Sequence, residues 1–169
     1  MSLKQYRGVA KTLREYWSIY GGLRALIGSP YLHVSVIVSM LVYSAWKPDP
    51  GELFDLIFTI VPSILGFSLG GYAILLAFGD DHFRQIISGP DKDGRASPFM
   101  EVNAAFIHFI VVSTLTLILG VVGSAIDVSG CVVFVACVLL IYSIACALAS
   151  AFAIFTVAGC FDTFNASKK

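Results

Sequence analysis

Glu101 and His108 are the pair with the most chemical potential in this sequence. They share one face of an apolar segment that opens EVNAAFIH, two helical turns or about 10 Å apart. That is too far for a direct bond. Through a water or a side chain from another helix, a carboxylate and an imidazole at this separation can make a proton or cation path at membrane depth. A second polar row, Asp55 and Thr59, precedes an uncharged stretch that runs to Asp80. Pro62 lies within that stretch and removes one backbone hydrogen bond, which marks a candidate kink or hinge.

The other titratable groups point to less. His33 opens an apolar segment, and His82 follows Asp80 and Asp81, but no HxxxH or comparable ligand spacing occurs. No metal and no cofactor is assigned. Cys131, Cys137, Cys146 and Cys160 form no CxxC pair, and cysteines inside apolar segments act as small hydrophobes. Nucleophile elbow, phosphate loop, zinc motif and dinucleotide fingerprint are all absent. The expectation is a protein that is not an enzyme.

The elements that must position these residues follow from composition. Of 169 residues, 57% are hydrophobic and 13% charged, with a net charge of zero; soluble domains carry about 25% charged residues. The excess apolar surface calls for lipid, and zero net charge gives no basis for nucleic-acid binding. The reading is an all-α integral membrane protein in a single domain, with four transmembrane helices preceded by an N-terminal amphipathic interfacial helix. Residues 3–20 form that helix: Tyr6, Val9, Leu13, Tyr16, Trp17 and Tyr20 fall on one face, and Lys4, Arg7, Lys11 and Arg14 on the other. A basic face beside an aromatic one suits anionic head groups. Gly21-Gly22 ends it. The spans are 30–46, 53–78, 98–125 and 131–161, with Trp17 and Trp46 as interface markers and a sizeable loop at 79–98. The last three spans exceed the bilayer and must tilt or project.

Orientation follows from the eleven Lys and Arg residues. With a cytoplasmic N-terminus, Lys4, Arg7, Lys11, Arg14, Arg24, Arg84, Lys92, Arg95, Lys168 and Lys169 lie inside and Lys47 alone outside. This predicts an inner-membrane, multi-pass protein with both termini in the cytoplasm.

The stretch SILGFSLGGYAILLAFG carries the packing signal. Ser63, Gly66, Gly70, Ala73 and Ala77 lie within an arc of about 80° at helical spacing, with Leu65, Leu69, Tyr72 and Leu76 opposite. Small residues let helix backbones approach in lipid, which offsets a helix penalty of roughly 1 kcal/mol per glycine. Ala145, Ala149 and Ala153 make a second small row, and Ser143, Ala147 and Ala151 a third. Such rows serve either packing within one bundle or contact with a second subunit; the expectation is a homo-oligomer.

In size and span count the chain resembles small four-span bacterial membrane proteins that act as effectors or channel subunits. That resemblance implies a channel-like role. The cysteine pattern departs from that of four-span disulfide-exchange oxidoreductases, and the first span lacks the carboxylate of small multidrug transporters. From the small-residue faces and the polar positions at both ends of the second and third spans, the leading expectation is a homo-oligomeric pore or ion channel gated from the cytoplasm. The alternatives are a membrane anchor or sensor that recruits a cytoplasmic protein partner, and a small proton-coupled transporter using Glu101 and His108.

Overall fold

The computed structural model describes residues 3–77 and 96–166, and every element among them is a helix: α1 (Leu3–Tyr20), α2 (Gly22–Ile27), α3 (Pro30–Trp46), α4 (Pro50–Ala77), α5 (Pro98–Ala125) and α6 (Gly130–Ala166). The loop expected at 79–98 lies outside the described residues up to position 95, and with it His82, Asp80 and Asp81.

Local chemistry sets the helix boundaries. Gly21 has φ +97° and Gly22 φ +65°. This left-handed region is open to glycine at little steric cost, and the chain turns there from α1 into α2. Pro30, Pro50 and Pro98 each open a helix, where a missing N–H is harmless. Ser97 caps α5 by accepting a hydrogen bond from the Met100 N–H at 3.3 Å. Asp49 accepts from the Gly51 N–H at 3.1 Å, so α4 starts at Pro50, three residues before the boundary expected from hydropathy. A polar capping turn is apolar-poor but helical, and a hydropathy window trims it. α4 continues through Pro62 without interruption.

Among the described residues, three helices are long and apolar enough to cross a membrane: Pro50–Ile74, Phe99–Ala125 and Gly130–Gly159. α3 is a shorter apolar helix of 17 residues. The exterior of the bundle is apolar. Phe67 is 87% exposed, Phe155 78%, Leu41 75% and Ile74 69%. Each such side chain left in water forfeits about 1.5–3 kcal/mol, so this exterior belongs in lipid.

α6 is the central helix, packed against α3, α4 and α5. At one end of the bundle, Leu53, Phe54, Ile57 and Val61 of α4 interdigitate with Val133, Ala136, Cys137 and Leu140 of α6. α3 covers this core with Val42, Tyr43 and Trp46. The Tyr43 hydroxyl donates to the Gly130 carbonyl at 3.0 Å, and its ring meets Phe134 edge-on. α3 is thus antiparallel to α6: its end lies at the start of α6, and its Tyr31 and Leu32 lie beside Tyr142 and Cys146.

Most buried serine and threonine hydroxyls are satisfied by their own helices, and Ser113 alone among the described residues has a buried hydroxyl with no hydrogen-bond partner. Ser35, Ser39 and Ser150 donate to the carbonyl four residues back, and Ser143 to the one three back. Thr116 donates to Val112 at 2.8 Å and also reaches the Leu139 carbonyl of α6 at 3.3 Å. A polar side chain bonded in this way can sit at a helix contact in lipid at little penalty.

Candidate functional site

The helix contact nearest to chemistry is made by α1, α5 and α6. His108 on α5 is 5% exposed, and both ring nitrogens are engaged. Nδ1 is 2.6 Å from the Tyr16 hydroxyl and Nε2 is 2.8 Å from the Tyr142 hydroxyl. The Tyr20 ring stacks on the imidazole with centroids 3.9 Å apart and planes 13° from parallel. The Tyr20 and Tyr142 hydroxyls are 3.4 Å apart. Trp17 stacks in turn on Tyr20 at 6.1 Å.

Helical periodicity explains how one short helix supplies three of these rings. Residues 16 and 20 are one turn apart and 17 adjoins them, so Tyr16, Trp17 and Tyr20 end the aromatic face of α1. That face is divided along its length. Tyr16 is buried against His108, whereas Leu13 and Val9 are 51% and 60% exposed. Lys4, Arg7, Lys11 and Arg14 lie on the far side, with Lys11 3.7 Å from Glu15. Burial pushes the Tyr16 hydroxyl up to about 12, with smaller contributions from Tyr20 and Cys146; burial also raises Tyr20.

A cavity of about 310 Å³ adjoins the cluster, between the end of α1, α2, the start of α3 and helices α5 and α6. Ala149 forms part of its wall. Ala153, further along the same row, packs against Val102, Phe106 and Val157, and Ala145 is half-buried. This row therefore serves the chain's own α5–α6 contact. Ala147 and Ala151 line a second cavity, of about 350 Å³, between α4 and α6, with Ser63, Ser68 and Gly71 on the opposite wall.

The structure does not bring Glu101 to His108. Glu101 is exposed in the first turn of α5, while His108 is turned into the bundle and taken by two tyrosines. Asp55 and Thr59 lie near the other end of the molecule, exposed on α4; the Thr59 hydroxyl donates to the Asp55 carbonyl at 2.9 Å and Ser63 to Thr59 at 2.8 Å. None of the described residues forms an ion pair with Asp55. Among the described residues no group of three or more His, Cys, Asp or Glu side chains comes together to hold a metal ion.

The α4 arc faces outward. Ser63, Gly66, Gly70, Ala73 and Ala77 are all exposed, on the side opposite buried Leu53, Ile57 and Val61. A Cβ added at Gly66 or Gly70 would meet nothing within 4 Å. Two other glycines make the close helix contact within the chain. A Cβ at Gly123 would overlap the Phe54 ring, and one at Gly120 would stand 3.0 Å from an Ile57 methyl.

Sequence reasoning missed Tyr142 and the pairing of Tyr16 with His108. The available signal was the single imidazole on a buried face, which needs two partners that only other helices can supply. It also missed Gly120 and Gly123, whose i, i+3 spacing was visible.

Fold and exterior together define the class: a helical, membrane-embedded protein. The chain matches no protein-family model, no curated protein and no solved structure.

Proposed function

We propose that the protein is a homo-oligomeric inner-membrane pore in which the outward arcs of α4 from several copies face one another. One observation carries this reading. Asp55, Thr59, Ser63, Gly66, Gly70, Ala73 and Ala77 share the face of α4 that this chain leaves uncovered. In a lone copy that face would hold the Asp55 carboxylate against lipid or its interface, which is unfavourable. In an oligomer the glycines and alanines permit close backbone contact, and the Asp55–Thr59–Ser63 row lines the water path.

In this reading α3 is the fourth span. Its 17 residues cover about 25 Å, its outward Val34, Ile37 and Leu41 are more than half exposed, and it runs beside α6 from Tyr142 to Gly130. Both termini and the 79–98 loop then face the cytoplasm, in keeping with the Lys and Arg distribution. A transporter using Glu101 with His108 is less well supported, because His108 has both nitrogens occupied and Glu101 points elsewhere.

The test is disulfide cross-linking combined with conductance. In a Cys131→Ser background, Gly66→Cys should cross-link copies in native membranes, whereas Ile118→Cys, exposed on α5, should not. The purified protein should conduct cations in planar bilayers, and Asp55→Asn should lower the cation preference. A monomer that neither cross-links at position 66 nor conducts would overturn the proposal.

A further inference from the structure

The cluster around His108 contains more hydrogen-bond donors than its contacts use. Tyr16, neutral His108, Tyr142, Tyr20 and the Cys146 thiol carry five donatable protons and share four contacts: Tyr16 with Nδ1, Nε2 with Tyr142, Tyr142 with Tyr20, and Tyr142 with Cys146. Each contact uses one proton, so one proton is always left over. If Nε2–H donates to Tyr142, the spare proton lies on Tyr142, Tyr20 or Cys146, all three of which line the cavity. In the opposite tautomer Tyr142 donates to Nε2, Tyr20 donates to Tyr142, and the spare proton lies on Tyr16. Tyr20 and Tyr142 line the 310 Å³ cavity. Their mutual contact of 3.4 Å is long for an O–H···O bond, which prefers about 2.7–2.8 Å. An acceptor entering the cavity can displace it at little loss and occupy the spare donor.

The rest of the wall narrows the chemistry of that acceptor. Ala25, Pro30, Ala105 and Ala149 are apolar, Ser29 adds one neutral hydroxyl, and among the described residues no Lys, Arg, Asp or Glu lines the cavity. A charged ligand would be stripped of water there without a counter-charge. The cavity lies at the start of α3 and beside the end of α1; with α3 as the fourth span, its first turn stands near the polar zone of the bilayer. Lipid glycerol esters and the carbonyls of small amphiphiles concentrate at that depth.

We propose that this cavity binds an uncharged amphiphile through a carbonyl oxygen that accepts a hydrogen bond from Tyr20 or Tyr142, with its apolar body against Ala105 and Ala149. The carbonyl belongs either to an ester of a bilayer lipid or to a freely diffusing ester or ketone. The site is independent of the α4 arc and stands whether or not the protein conducts.

Full-length protein with Trp46→Phe leaves Trp17, stacked on Tyr20, as the sole tryptophan reporter. In nanodiscs of diether lipid, which lacks ester carbonyls, methyl decanoate should change Trp17 emission saturably and decane should not. Tyr20→Phe keeps the ring stack and removes one donor, so it should weaken the titration about tenfold. Ala149→Phe fills the cavity and should abolish the response; Ala105→Leu on the opposite wall does the same if Ala149→Phe fails to fold. In nanodiscs of ester-linked lipid, loss of the titration identifies the lipid ester as the occupant, and an unchanged titration identifies a freely diffusing carbonyl compound. An equal response to decane, or wild-type affinity in a folded cavity-filling variant, would sink the proposal.

Discussion

Gly66 and Gly70 on α4 and Gly120 and Gly123 on α5 pose the same sequence feature in opposite surroundings. At Gly120 and Gly123 the missing side chain is already used, because Ile57 and Phe54 of α4 press onto the bare backbone. At Gly66 and Gly70 the space is empty to 4 Å. One face of α4 thus completes the fold of this chain, and the opposite face is left for something outside it. Small residues at helical spacing say that a close approach happens somewhere in a membrane protein. They do not say whether the approaching backbone is in the same molecule.

α1 repeats the contrast within a single helix. Tyr16 and Tyr20 are committed to His108 and Tyr142, while Val9 and Leu13, on the same face, are exposed. The helix is anchored to the bundle at its C-terminal end, and its apolar stripe continues past the point where the bundle stops.

The largest effect is expected where the glycine is already in contact. Gly123→Leu should force Phe54 out of the core that it shares with Val133 and Leu140, lowering the stability of the detergent-solubilised monomer by about 3 kcal/mol or more, read as a large drop in melting temperature. A melt within a degree or two of wild type would show that the α4–α5 contact does not depend on Gly123.

Gly66→Leu and Gly70→Leu should behave in the opposite way. The monomer should melt within about 1 kcal/mol of wild type, since leucine improves helix propensity and meets no neighbour, while the assembled particle shrinks on size-exclusion chromatography. Gly71→Leu adds the same side chain beside Ile154, 3.6 Å from the added Cβ, and should leave particle size unchanged. Identical particle sizes for all three would remove the distinction between the two faces of α4.

The smallest effect concerns the anchor of α1. Burial favours the neutral Tyr16 hydroxyl, whose pKa rises from 10 to about 12. Its contribution to docking is therefore complete below about pH 10 and is lost as the pH rises through about 12. Trp17 emission in the Trp46→Phe protein should show a step across that range, and Tyr16→Phe should lack it. A step of equal size in both proteins would assign the release of α1 to Tyr20 or to global unfolding.

Much of this architecture was legible in the chain. The charge-free run after Asp55, the opening prolines and the two-sided pattern of residues 3–20 define helices because hydropathy and 3.6-residue periodicity are local properties. The α4 arc was legible for the same reason. The partner of each face was not. Spacing along one helix put His108 on the face of Glu101 without naming its partners, and its hydrogen bonds go to Tyr16 and Tyr142, 92 and 34 residues away in the chain.

By itself the sequence determined a helical, membrane-embedded chain with small residues along one side of α4, because burial in lipid imposes length, apolarity and internal backbone bonding on each helix separately. Only the tertiary structure decided which small residues touch within the molecule, which face stays open, and that His108 is held by two tyrosines beside a cavity. Those outcomes depend on the rotation of each helix about its own axis relative to its neighbours. That rotation is set by the joint packing of all the side chains at the contacts, which no single segment encodes.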